Sequence, residues 1–294
     1  MTHNAAEPDA PAFSFNGTTL YNSDIQTLAE EEWVGDAIIM LLFSLLEHDA
    51  HAAGIELWSP AVVQILCTMS DDELEPATAS SLFPPLRRFN ILPISDAYAS
   101  SSGPSPASHW SLLLLHAPPA GPPHAQDHIT AYHLDSLDPH NARAAARCTA
   151  NFASAFERLP TQMRAVGQPG WWSTSARSGE GEGEGEGEGE QGGEQTLEAQ
   201  ENAWDCGVYV LALTQALVRS LSAPRGAKKN KNNNIDSVVN AVVRSHASPR
   251  RIAHFRSAFY HWVRRWQAEA RKGGGRWDSQ REVVQALGPW EREG

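Results

Sequence analysis

The chain has 294 residues, 41% of them hydrophobic, enough to fill one sizeable core with long insertions. Its longest apolar runs, 37–43 and 112–115, are far too short to cross a bilayer, and Met1–Phe15 lacks the basic start and apolar run of a signal peptide. Three widely spaced cysteines, Cys67, Cys148 and Cys206, argue against a disulfide scaffold and against a zinc knuckle, and suit a reducing compartment. A soluble protein of the cytoplasm or nucleus is expected, with no membrane partner. The formal net charge of −12 is uneven: residues 219–294 carry 16 of the 23 Lys and Arg and only 6 of the 35 Asp and Glu. No aromatic-basic module of a nucleic-acid-binding type accompanies that basic stretch, so it is read as balancing the acidic body and no nucleic-acid partner is expected.

Along the chain, residues 1–15 read as a disordered leader. A helical pattern opens near Ser23 or Asp24 and continues past Trp33. The apolar run Asp36–Leu46 has the length of a buried helix. Ser59 can cap a helix with Pro60 in its first turn, and Val62, Val63, Leu66 and Cys67 form its inner face. Three strands follow: Asn90–Ile94, Trp110–Leu115 and Ile129–Leu134. The Ser, Pro and Gly-rich segments 96–108 and 117–127 are loops between them. Asn141–Leu159 and Cys206–Val218 read as helices, and Ser248-Pro249 starts another whose face is marked by Ile252, Phe255, Phe259, Trp262 and Trp266.

The Gly-Glu alternation from Gly179 to Glu190 has no apolar area to bury and reads as a disordered insertion. The expected organisation is a disordered leader (1–15), one domain (16–270) with disordered insertions at about 173–195 and 225–234, and a C-terminal tail (271–294).

Cys206 stands in Asp205-Cys206-Gly207, just before an apolar helical run. A thiol at a helix N-terminus gains stabilisation of its thiolate from the helix dipole and the free amides, and Gly207 permits close approach of a substrate backbone. A thiolate nucleophile needs a base, and the base needs an orienter. His109 stands at the start of one strand and Asp135 at the end of the next. If the strands are neighbours, both side chains share one sheet edge. The alternative is that they are ordinary strand-end polar residues. Gln200, six residues before Cys206, can donate an oxyanion hydrogen bond with the Cys206 amide; alternatively it is a solvated loop glutamine.

The segments His109-Trp110-Ser111-Leu112, Leu134-Asp135-Ser136 and Gln200-Glu201-Asn202-Ala203-Trp204-Asp205-Cys206-Gly207 resemble the ubiquitin-like-protein-specific (Ulp/SENP) cysteine proteases. The resemblance implies an α+β fold of the papain-like Ulp/SENP type, a central mixed sheet flanked by helices. It implies His109 as base, Asp135 as orienter, Gln200 in the oxyanion hole and Cys206 as nucleophile, with no metal and no cofactor. Trp33-Val34-Gly35-Asp36 is similar to the family's channel-entrance element, with Gly35 in place of the usual Asn. Trp33, Asp36 and Trp110 would then bind the substrate tail, the two indoles forming a slot around a Gly-Gly end.

Pro93-Ile94-Ser95-Asp96 and the long loop before His109 are similar to the NEDD8-specific branch. The implied partner is a ubiquitin-like modifier and its conjugates, NEDD8 first and SUMO as the alternative. Rival activities on the same fold are an acetyltransferase using the same triad and a non-catalytic module that only binds a ubiquitin-like protein. The Trp33 and Trp110 pair and the complete set of four site residues argue for the protease.

Overall fold

A computed structural model describes residues 9–70, 73–74, 76–99, 109–118, 128–137, 140–166, 200–223, 235–273 and 276–287. The Gly-Glu insertion, the second insertion at 225–234 and most of both Ser/Pro-rich loops lie outside these residues.

The described chain opens with a hairpin, β1 (Pro11–Phe15) and β2 (Thr18–Tyr21), joined through Asn16 and Gly17 at φ 46° and 81°. Positive φ at both turn residues matches the twist of the paired strands. A short helix α1 (Asn22–Gln26) leads through an irregular stretch to α2 (Asp36–Ala52). Then come β3 (Ile55–Leu57), α3 (Pro60–Thr68), α4 (Pro76–Leu82) and β4 (Phe89–Ser95). Next are β5 (Trp110–His116), β6 (His128–Leu134), α5 (Ala142–Ala155) and β7 (Leu159–Val166). The C-terminal third holds α6 (Cys206–Ser222), α7 (Ile235–His246), α8 (Pro249–Gly273), β8 (Arg276–Trp277) and α9 (Gln280–Leu287).

The main sheet has the order β3-β4-β5-β6-β7, with β4, β5 and β6 antiparallel and both outer pairs parallel, the mixed sheet expected from the resemblance. Leu112, Leu113, Leu114 and Leu115 are all fully buried, so both faces of β5 are covered. Helix α6 lies against β5 and is surrounded by α2, α7 and α8, while α3 and α5 pack on β4 and on each other. Every residue of α6 from Cys206 to Val218 is buried. At α3 the cap works as its sequence suggests: the Ser59 hydroxyl accepts from the Val62 amide at 3.2 Å.

Several expectations are corrected. Residues 11–15 are not a leader: Phe13 and Phe15 are buried, and Phe13 stacks on Trp266 with ring centroids 4.4 Å apart. Nor are residues 276–287 a loose tail, because β8 pairs with β1 and α9 packs on α8. A hairpin with four buried side chains, Ala12, Phe13, Phe15 and Leu20, reads as leader until a distant helix supplies its partner. The helix near Ser23 does not continue past Trp33 but stops at Gln26. Gly35, whose amide donates to the Thr27 hydroxyl at 3.2 Å, starts a new helix at Asp36. Likewise α5 ends at Ala155 rather than Leu159, turning at Glu157 with φ 51° into β7.

Candidate active site

Antiparallel pairing sets Leu112 opposite Leu134, which brings the residues before β5 and after β6 to one sheet edge. There His109 Nε2 donates to Asp135 Oδ1 at 2.5 Å, with both side chains buried. Asp135 is itself held: its carboxylate accepts from the backbone amides of Leu137 and Asn141, each at 3.2 Å. His109 is held by backbone as well, its amide donating to Asp96 Oδ1 at 3.1 Å and its carbonyl accepting from the Asp96 amide at 3.2 Å. The buried Asn141 side chain ties the end of β4 to the start of β5, donating to the carbonyls of Ile94 and His109 and to Ser111 Oγ. Behind Asp135, Ser111 Oγ meets His133 Nε2 at 2.9 Å, and burial holds that imidazole neutral by pushing its pKa down.

Cys206 is the first residue of α6 and 2% exposed. It sits where the unpaired amides of a first helical turn and the positive end of the dipole favour an anion. Burial alone would lower the pKa of His109. The hydrogen bond that His109 donates to Asp135, the neighbouring Cys206 side chain and the charges of both outweigh it and raise the pKa to about 9. At neutral pH His109 is therefore an imidazolium, and its Nδ1 is buried with no hydrogen-bond partner among the described residues. The sheet edge and the helix start thus bring His109, Asp135 and Cys206 together as the sequence suggested.

Gln200 is not a solvated glutamine. It is 8% exposed, its Oε1 accepts from Ser136 Oγ at 2.8 Å, and its Nε2 donates to the Asn202 carbonyl at 2.6 Å. An amide nitrogen has two hydrogens, so this pose fixes one and leaves the direction of the second defined. Asn202 in turn binds the residue before the nucleophile: its Oδ1 accepts from the amides of Trp204 and Asp205, and its Nδ2 donates to Asp205 Oδ2 at 2.8 Å.

Trp33 is 42% exposed, whereas Trp110 is buried and its Nε1 donates to the Val34 carbonyl at 3.0 Å. That bond fastens the segment carrying Trp33 to the segment carrying His109. Asp36 is exposed in the first turn of α2, with Oδ1 accepting from the Ala37 amide.

Gly207 has a different reason to be glycine from the one its sequence suggested. A Cβ there would stand 2.6 Å from the Val34 Cβ, so what approaches Gly207 is the protein's own Val34 and not a substrate backbone.

Three residues of the site were not singled out from sequence: Asn141, Ser136 and Arg256. Asn141 carried no signal beyond being polar near a strand end, and Ser136 entered only within the Leu134-Asp135-Ser136 segment, without a role of its own. Arg256 carried one, since it lies four residues after Ile252 and three before Phe259 on the buried stripe of α8, where a cation is unusual.

No family model matches the chain. Mouse Sentrin-specific protease 8 is 29% identical over 224 residues, which cover 72% of this chain and 80% of the relative. The human protein of the same name is 25% identical over 221 residues, covering 72% and 83%. Among solved structures, the crystal structure of a de-sumoylating protease superposes with a TM-score of 0.54 at 16% identity, over 95% of this chain and 99% of that one.

Proposed function

We propose that this chain, a cysteine protease of the ubiquitin-like-protein-specific (Ulp/SENP) family, cuts after the C-terminal Gly-Gly of NEDD8, releasing the modifier from lysine conjugates and from its precursor. The observation that carries the reading is the buried Asp135–His109 pair at 2.5 Å, which interacts with a cysteine on a helix start, while the neighbouring Trp110 is bonded to the segment that carries Trp33. The Sentrin-specific protease 8 likeness and the Pro93–Asp96 element support NEDD8 over the alternative modifier, SUMO.

In the reaction, Cys206 Sγ attacks the carbonyl carbon of the terminal glycine. The negative charge on that oxygen is met by Gln200 Nε2 and the Cys206 amide. As the C–N bond breaks, the His109 imidazolium gives its Nδ1 proton to the departing amine, leaving a thioester. Water then attacks the thioester, His109 Nδ1 takes its proton, and the second tetrahedral intermediate expels the Cys206 thiolate. Asp135 holds the imidazole in the orientation that both transfers need. Trp33 and Trp110 would form the slot around the glycine tail, with Asp36 exposed at the start of the helix that follows Trp33. Three free thiols suit work in the cytoplasm or nucleus.

The test is a panel of ubiquitin-like modifiers carrying a C-terminal electrophile. A NEDD8 adduct on Cys206, forming at least about tenfold faster than the SUMO or ubiquitin adduct, supports the reading. A SUMO preference of that size overturns the modifier and leaves the chemistry. Absence of any adduct, with Cys206 still alkylated by iodoacetamide, would favour an acetyltransferase or a binding module.

A further inference from the structure

Arg256 comes from the long helix α8 and is 5% exposed, and its guanidinium reaches two segments distant in sequence, 29–32 and 204–205. Its Nε donates to Asp205 Oδ1 at 2.8 Å and one terminal nitrogen donates to the Trp204 carbonyl at 2.9 Å. The other terminal nitrogen donates to the carbonyls of Ala29 at 2.6 Å and Glu32 at 3.0 Å. Asp205 and Trp204 immediately precede the nucleophile; Glu32 immediately precedes Trp33. Two paths therefore leave one side chain. The first runs from Arg256 through Asp205 and Asn202 to the Gln200 amide, each step a hydrogen bond of 2.6–2.8 Å. The second runs through Glu32 to Trp33 and Val34, whose carbonyl receives Trp110.

We propose that Arg256 is a positioning residue for catalysis: it sets the oxyanion donor Gln200 and the tail-gripping Trp33 relative to one another, so that the C-terminal helix is part of the active site. The proposal rests on the protease reading of that site. Physical chemistry favours arginine here. Its planar fork can satisfy one carboxylate and three carbonyls from a single buried position, and a lysine offers fewer fixed directions. The stretch 27–35 cannot satisfy its own carbonyls by helix formation, because it is not helical. Arg256 takes two of them, which holds the irregular backbone that presents Trp33. The His109–Asp135 wall receives none of these bonds, so loss of Arg256 should leave the acid–base pair intact while disturbing donor and slot.

The experiment compares wild type with Arg256→Met, Arg256→Lys, Gln200→Ala and the Arg256→Met/Gln200→Ala double variant. Hydrogen exchange by mass spectrometry needs no substrate. Arg256→Met should speed exchange in residues 27–35 and 200–205 together, with β5 and the rest of α6 unchanged. Unchanged exchange in both segments overturns the clamp whatever the enzyme's substrate proves to be.

With a modifier-aminocoumarin substrate, Arg256→Met should lower kcat about 10- to 100-fold and raise KM about threefold or more. Once Gln200 is already alanine, the kcat loss from Arg256→Met should shrink to about threefold or less, while the KM rise persists through Trp33. A full, multiplicative kcat loss in the double variant would mean that Arg256 acts only on general stability. The pH dependence of Cys206 alkylation by iodoacetamide should stay that of wild type, because His109 and Asp135 are untouched; a shift of that profile also counts against the assignment. Arg256→Lys, which keeps the charge, should fall between wild type and Arg256→Met and carries the same comparison if the methionine variant does not fold. Failure of wild type to turn over any modifier would sink the protease reading and leave the exchange result to decide the clamp.

Discussion

Cys206 and Cys148 are both buried thiols on helices, and their surroundings differ in kind. Cys148 sits in the interior of α5, fully buried, where burial first and the neighbouring Cys67 second push its thiol well above the ordinary range. Cys206 stands at a helix start facing a histidine whose own pKa rises to about 9 partly because that thiol is there. Burial by itself does not decide reactivity. A thiol enclosed by apolar groups is inert, while one enclosed by an imidazolium and a helix end is held as a nucleophile.

The sharpest way to break this contrast is Cys206→Ser. Turnover should fall on the order of 10⁵-fold, with no electrophile adduct by intact mass and a fold unchanged by circular dichroism. Labelling of Cys67 or Cys148 with activity retained would reverse the assignment.

Asp135→Asn comes next and should lower kcat/KM by about 10³- to 10⁴-fold, because the imidazole loses its orienter. It also removes a hydrogen bond and a charge that raise the His109 pKa. In wild type, amide cleavage should decline above about pH 9 as His109 loses its proton, while iodoacetamide alkylation of Cys206 continues. In Asp135→Asn that alkaline limb should move to lower pH. Stability follows the same sign. A folded-state pKa of about 9 against the ordinary 6.5 adds stability in full below pH 6.5, and that stability is lost as pH rises through 9. The denaturant midpoint should therefore drop between pH 7 and 10 more steeply in wild type than in Asp135→Asn.

Gly207→Ala tests the seat of Val34. The added Cβ would stand 2.6 Å from Val34 Cβ, against backbone-anchored atoms that cannot swing away. The Val34 segment must shift, carrying Trp33 and the Trp110 bond with it, so kcat/KM should fall about 10- to 100-fold. Steady-state kinetics beside a thermal melt would show whether activity is lost ahead of stability.

The smallest effect is expected at the inert partner. Cys148→Ala leaves a small cavity in α5 and should cost about 1–2 kcal/mol in denaturant unfolding, with kcat/KM within about twofold of wild type.

The three central strands, the helix after Ser59, the buried run from Asp36 and the helix behind Cys206 were legible because each announces itself within ten or so residues, by apolar continuity or by a cap. The site was legible where motif and element end coincide: His109 opens a strand, Asp135 closes one, Cys206 opens a helix. The hairpin 11–21 was not legible, since Phe13 and Phe15 acquire meaning only against Trp266. The reason for Gly207 was misread because its neighbour Val34 is distant in sequence.

What the sequence alone determined is therefore the set of chemical groups and the local elements that carry them, because helix and strand periodicity, capping and glycine tolerance act over a few residues. Only the tertiary structure decided how the segment before Trp33 and the segment before Cys206 are held together. Arg256 reaches Asp205 across 51 residues and the carbonyls of Glu32 and Ala29 across 224 and 227. Such contacts are selected by packing of α8 against the body, and a local pattern holds no record of which distant carbonyl a buried guanidinium will meet.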